Sequence, residues 1–242
     1  MNAAAEPIFL DAGEAALVAE FGRTVDPAIH NRVLALDAAL AERKLLGVLE
    51  LVPTFRSLMV HYDPLVIGRQ SLIEAIRGIR TDAAEVKPSR RWTIPCCYDP
   101  EFGPDIPEIA RMTGLTPERV VALHAGASYR IFMVGFLPGF SYLGGLPKEL
   151  TVSRRATIRP PHPTGTIMIG AGMGLITTFA MPTGWWLMGR TPERMFSLDR
   201  QRPFFAAVGD AITFEPIDRA VFDALESRVT AGEIVAKMTA LP

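Results

Sequence analysis

The stretch that most restricts the fold is Gly135-Phe136-Leu137-Pro138-Gly139-Phe140-Ser141-Tyr142-Leu143-Gly144-Gly145-Leu146-Pro147, with four glycines, two prolines and no charged side chain. A core strand alternates apolar and polar residues or runs continuously apolar, and it does not carry this density of Gly and Pro. An ordinary surface loop is polar. The stretch therefore reads as an ordered apolar loop, shaped by Gly and Pro, that lines a pocket or meets a partner. The plainer alternative is an internal bend between two barrel strands.

The chain around it changes character along its length. Residues 8–11 and 16–21 have the look of two short strands. Asp26 can cap a helix that opens at Pro27, and Ile29, Val33, Leu36 and Leu40 recur at helical spacing. Segments 48–52 and 57–62 form a second strand pair, and 68–79 a second helix. The order β-β-α-β-β-α predicts an antiparallel sheet with helices on one face. A charged, proline-containing segment at 80–91 has no periodic apolar face and separates a small α+β domain, 1–85, from a second domain, 92–242. In the second domain, 92–98 is strand-like, and 106–113 and 117–125 read as short helices, the latter capped by Thr116. From Tyr129 onward, short apolar runs at 129–134, 166–169, 174–179, 185–189 and 211–216 are broken by Gly and Pro, which argues for a mainly β barrel or sandwich. Residues 221–238 read as a closing helix interrupted at Gly232.

Composition excludes several function classes. With 49% hydrophobic and 21% charged residues over 242 positions the chain is globular in type. A net charge of −1 gives no electrostatic reason to expect nucleic acid or an anionic membrane. No signal peptide and no membrane span are read, so the expected location is the cytoplasm. The two cysteines, Cys96 and Cys97, are adjacent and lack metal or redox spacing; they are expected to be buried and reduced.

No complete catalytic set declares itself. The serines carry no nucleophile-elbow signature, and the four histidines, His30, His61, His124 and His162, are scattered. No His or Cys pair sits at metal-ligand spacing. Gly170-Ala171-Gly172-Met173-Gly174 resembles a phosphate loop but lies between barrel strands and is read as a β-turn. Arg154, Arg155 and Arg159 cluster in a segment otherwise poor in charge, and Arg190 directly follows the apolar run from Trp185. Forked guanidinium donors beside a pocket suit a carboxylate. His124 ends a short helix, where it serves either as a cap or, in a site, for proton transfer.

The 135–147 stretch resembles the signature loop of the allophanate hydrolase subunit 1 / KipI family, whose bacterial members include the B-subunit of 5-oxoprolinase. Tyr98, Gly103-Pro104-Asp105-Ile106, Leu123-His124, Gly184-Trp185, Gly189-Arg190-Thr191-Pro192, Gly209-Asp210 and Phe214-Glu215-Pro216 agree in order and spacing. The resemblance implies a small α+β domain followed by a cyclophilin-like β-barrel. It implies a subunit of an ATP-dependent amide or lactam hydrolase, with ATP entering through the assembled complex and no cofactor evident in this chain. The implied partner is an allophanate hydrolase subunit 2 / KipA-type protein, with a protein of the 5-oxoprolinase A-subunit type as a further one. The alternative implied role is an inhibitor that docks on a sensor histidine kinase. The implied binding residues are Gly135, Phe136, Pro138, Gly139, Phe140, Tyr142, Arg159, Trp185 and Arg190, with His124 as the candidate for proton transfer. The chain departs from the family where Pro-Arg pairs become Ser153-Arg154 and Ile158-Arg159, and where a Gln and a Tyr become Met173 and Thr177. Losing an amide and a phenol removes hydrogen-bonding capacity from the expected pocket.

Overall fold

Residues 6–81 and 87–241 are described by a computed structural model, and the chain divides into two units, 1–87 and 88–242. Residues 82–86 of the polar segment read as a boundary lie outside the described residues.

In the first unit, β1 (Ile8–Asp11) and β2 (Ala16–Glu20) precede α1 (Pro27–Arg43), and β3 (Val48–Pro53) and β4 (Ser57–Tyr62) precede α2 (Arg69–Arg77). The strands make an antiparallel sheet in the order β1-β2-β4-β3. Helix α1 starts as its sequence dictates: Asp26 accepts a hydrogen bond from the Ala28 N–H at 2.7 Å, and Pro27 supplies a preset φ at the first position. The strand period of two puts Leu17, Ala19, Leu58, Val60 and Tyr62 on one sheet face. There they meet Val33, Leu36 and Leu40 of α1 and Leu72, Ile73 and Ile76 of α2 in a single core.

The second unit runs β5 (Arg90–Cys97), α3 (Ile106–Thr113), α4 (Pro117–Gly126), β6 (Tyr129–Val134), β7 (Ser141–Gly144), β8 (Arg159–His162), β9 (Thr166–Gly170), β10 (Met173–Ile176), β11 (Met181–Thr183), β12 (Trp186–Arg190), β13 (Ala211–Ile217), α5 (Arg219–Thr230) and β14 (Lys237–Ala240). Seven of these strands close into a mixed barrel in the order β12-β9-β10-β7-β6-β13-β5, sealed where Arg190 faces Cys97. Strand β13 runs parallel to β5, and the other ring pairings are antiparallel. The seam is tight: a Cβ at Gly189 would lie 2.6 Å from the Cys97 carbonyl oxygen, so only glycine fits. Alternating residues of the ring fill its interior, among them Ile94, Cys96, Tyr129, Ile131, Leu143, Ile167, Ile169, Met188, Ile212 and Phe214, and Ile106, Ile109 and Val120 of α3 and α4 join the same core. Both cysteines are free and buried, Cys96 in this core and Cys97 packed with Phe102 and Phe222 outside it.

Two sequence expectations change and one, the β-turn, is met. The apolar stretch is a loop only as far as Phe140; Ser141–Gly144 is β7, paired with β6 and β10. The Gly-rich segment at 170–174 is a hairpin turn, with Ala171 at φ +51° and Gly172 at φ +77°, the pair of left-handed residues that a type I′ turn requires. Residues 237–240 are a strand and do not continue the C-terminal helix. Helix α5 ends at Thr230 and Gly232 turns the chain at φ +92°. The buried Glu193 then accepts the Val235 and Ala236 N–H groups at 2.7 and 2.8 Å and delivers the chain to the free edge of β5.

Candidate functional site

The site is built on the β6–β7 connection. Gly135 N–H donates to the Phe140 carbonyl at 3.1 Å, Phe140 N–H to that of Leu137 at 3.0 Å, and the Ser141 hydroxyl to that of Gly139 at 3.0 Å, which folds the loop on itself. Gly139 takes φ +70° and Pro138 sits exposed at the turn. Phe136 adopts φ +74°, a region that non-glycine residues seldom occupy, and the residue is 73% exposed. From its ring a chain of aromatic contacts runs inward: Phe136 to Phe140 at 5.5 Å, Phe140 to Tyr142 at 5.1 Å, and Tyr142 to Trp185 at 6.3 Å. With Met181, Pro182, Thr183 and Gly184 on the β11 side, and Arg154 and Ile158 on the approach to β8, they line a cleft of about 370 Å³. The apolar loop therefore opens outward and shares one cavity wall with Trp185.

The arginines of the preceding segment separate into two roles. Asp105 is buried, and its carboxylate accepts the Leu187 N–H at 2.9 Å, a close hydrogen bond from Arg159, and one from Arg155 at 3.5 Å. Arg155 also lies over the Trp186 ring at 4.5 Å. Arg154 takes no part in this cluster and faces the cleft. Its backbone is held on both sides: Trp186 Nε1 donates to the Ser153 carbonyl at 2.7 Å, and Arg155 N–H to that of Gly184 at 2.8 Å. Burial pushes the Tyr142 phenol above its ordinary pKa, and the Arg154 charge offsets part of the rise.

Of the residues expected in a site, the structure brings together Phe136, Phe140, Tyr142 and Trp185, with Gly135, Pro138 and Gly139 shaping the loop that carries the first two. It does not bring in Arg159, whose guanidinium is committed to Asp105. Arg190 also lies elsewhere, donating to Glu226 at 2.8 Å and to the Thr164 carbonyl at 3.1 Å while its guanidinium covers Phe222 and Phe102. It fastens α5 to the barrel. His124 is fully buried, stacked on Phe214 at 4.9 Å, with Nδ1 2.8 Å from the Tyr98 hydroxyl. Burial drives its pKa down to about 3, so it is a neutral core residue with no access to the cleft. The sequence reading grouped Arg154 with its neighbours and did not separate it. The distinguishing signal was Asp105, an acid whose position beside two of the three arginines only the fold reveals.

A second cavity, about 620 Å³, lies between α3 and α4 and is walled by Tyr98, Pro104, Ile106, Pro107, Val121 and Pro216. It is larger and more apolar than the cleft, but none of the expected binding residues line it. Among the described residues no three His, Cys, Asp or Glu side chains form a group able to hold a metal ion, and no helix is long and apolar enough to cross a membrane.

The closed mixed barrel places the chain among carboxyltransferase-type domains. The chain belongs to that family: residues 7–206 match the carboxyltransferase domain, subdomain C and D. It is 32% identical over 224 residues to the B-subunit of 5-oxoprolinase from Bacillus subtilis (strain 168), an alignment covering 88% of this chain and 93% of that one. The resemblance drawn from the 135–147 stretch is therefore correct. Among solved structures, TTHA0988 superposes with a TM-score of 0.74 at 31% identity over 84% of this chain, which spans 40% of the TTHA0988 chain. The urea amidolyase of K. lactis shares the fold, with a TM-score of 0.79 over 96% of this chain at 15% identity; this chain spans 16% of it.

Proposed function

We propose that the chain is a non-autonomous subunit of a heteromeric, ATP-dependent hydrolase of the 5-oxoprolinase type, opening an amide or lactam bond. Its aromatic cleft is one wall of a site that an allophanate hydrolase subunit 2 / KipA-type partner completes, and ATP is handled by the assembled complex. The observation that carries this reading is the cleft's chemistry. Its lining offers rings, a guanidinium and a threonine, but no carboxylate, histidine, cysteine or lysine to serve as base or nucleophile. The Thr183 hydroxyl is already engaged by the Trp185 N–H at 3.0 Å. Such a surface orients and encloses a reactant while the reacting groups come from across an interface. The exposed ring of Phe136 at its mouth suits contact with a second polypeptide. The Bacillus subtilis relative is named as one subunit of 5-oxoprolinase, which supports an assembly of this kind. The test is to co-express the chain with the proteins encoded beside it, isolate the complex and measure ATP hydrolysis with and without 5-oxoproline. The expected result is hydrolysis that depends on both 5-oxoproline and this chain. A stable complex that no lactam or urea analogue stimulates refutes the proposal.

A further inference from the structure

We infer that Arg154 is the anchor for the carboxylate of a compact organic acid held in the aromatic cleft, with the rings of Tyr142 and Trp185 receiving its apolar body. The inference rests on the reading of this cleft as the reactant-binding wall of a composite site, and it names the class of reactant.

Charge accounting leads to it. Three arginines, Arg154, Arg155 and Arg159, lie within six residues of sequence, and Asp105 is the acid that answers two of them. Arg154 makes no ion pair with any described residue, and no acid lines the cleft it faces. The immediate surroundings therefore carry a surplus of positive charge.

Placement points the same way. A Cβ at Gly170 would sit 3.2 Å from the Trp185 ring and 3.7 Å from Arg154 Cγ. The Arg154 stem and the Trp185 ring thus lie side by side over one glycine. A Cβ at Gly184 would be 3.5 Å from Arg154 Nη2 and 3.8 Å from its Nε, which puts the guanidinium over the backbone at the entry to β12. The backbone from which the stem springs is fixed: Ala171 N–H donates to the Val152 carbonyl at 3.0 Å, and the bonds at Ser153 and Arg155 described above hold the next two peptides. A guanidinium placed here offers two parallel donors to two carboxylate oxygens, which a lysine ammonium does not. The cleft volume, about 370 Å³, is at the small end of ligand sites and suits an acid of about ten non-hydrogen atoms.

The experiment uses the full chain, alone and in complex with its partner, and measures binding of L-5-oxoproline, L-proline, acetate, inorganic phosphate and uncharged 2-pyrrolidinone by calorimetry and saturation-transfer NMR. L-5-Oxoproline is expected to bind at least tenfold more tightly than 2-pyrrolidinone. Arg154→Met removes that preference and leaves 2-pyrrolidinone binding unchanged. Arg154→Lys keeps the charge and recovers part of the preference. Arg119→Met, on the exposed face of α4, behaves as wild type. The inference is overturned if Arg154→Met binds L-5-oxoproline as tightly as wild type, if inorganic phosphate binds as well as the carboxylates, or if no carboxylate binds to the chain or to the complex. Thermal melts of each variant exclude misfolding as the cause of lost binding. Failure here is separable from failure of the proposed function: Arg154-dependent carboxylate binding without stimulated ATP hydrolysis refutes only the hydrolase, and stimulated hydrolysis insensitive to Arg154 refutes only the anchor.

Discussion

Replacing Asp105 with alanine tests how the barrel holds its charged cluster. Asp105 stands at the N-cap position of α3 but makes no capping bond. Its carboxylate is spent on the Leu187 N–H of β12 and on Arg159 and Arg155. Truncation leaves the Leu187 N–H without its acceptor in a buried setting, a loss of roughly 1–3 kcal/mol. It also leaves two guanidinium groups unpaired. Breaking a fully buried pair costs about 3–5 kcal/mol. Here the two arginine side chains keep 26% and 21% exposure and retain part of their water, so the lower end applies. The expected total is about 4 kcal/mol, a fall in Tm of roughly 8–16 °C for a chain of this size. Asn at the same position keeps one acceptor for Leu187 and is expected to lose about half as much. Trp92, Trp185 and Trp186 are the chain's three tryptophans and all lie in the second unit, so their fluorescence follows that unit's unfolding without signal from the first. A fall of less than 2 °C in Asp105→Ala, or an Asn variant as unstable as the Ala variant, refutes the assignment of Asp105 as the cluster's keystone.

Three further outcomes are expected. His124 stays neutral in the fold to about pH 3, whereas the unfolded chain binds a proton below its ordinary value of 6.5. Stability is therefore complete above pH 6.5 and declines as pH falls, by up to about 1.4 kcal/mol per unit; His124→Phe, measured by urea denaturation from pH 7 to 4.5, flattens that slope, and an unchanged slope contradicts the account. Phe136→Gly relieves a left-handed backbone, worth about 1–2 kcal/mol, against a lost ring contact of about 0.5–1.5 kcal/mol and a looser unfolded chain worth about 0.4–1 kcal/mol. Its Tm should stay within about 3 °C of wild type while the cleft loses a wall, and a larger drop would show that the loop depends on that ring. Glu193→Ala unpairs the buried Arg200 and frees the Val235 and Ala236 N–H groups, so hydrogen exchange at residues 237–240 should accelerate at least tenfold while exchange at β9 stays slow.

What the sequence disclosed followed the reach of its interactions. Elements fixed by local chemistry were legible: the Asp26-Pro27 start of α1, the Thr116-Pro117 start of α4 and the apolar runs of β6, β9 and β13. Elements fixed by distant partners were not. Lys237–Ala240 is exposed at every position and is a strand because β5 offers a free edge. Ser141–Gly144 is hidden among glycines because Phe132 occupies the space beside Gly144, where a Cβ would meet its ring at 2.2 Å. The aromatic half of the cleft could be read from the 135–147 stretch, since rings among Gly and Pro with no charge have few other uses. The arginines could not, because Arg154, Arg159 and Arg190 are equivalent in sequence until Asp105 and Glu226 claim two of them.

The parallel pairing of β13 with β5 has a consequence for how this barrel can be passed between proteins. The match to carboxyltransferase subdomains C and D ends at residue 206, five positions before β13 begins. A piece cut there would keep the cleft and six of the ring's staves, yet the hoop would gape between the first stave and β6. The inheritable module must therefore extend beyond those two subdomains.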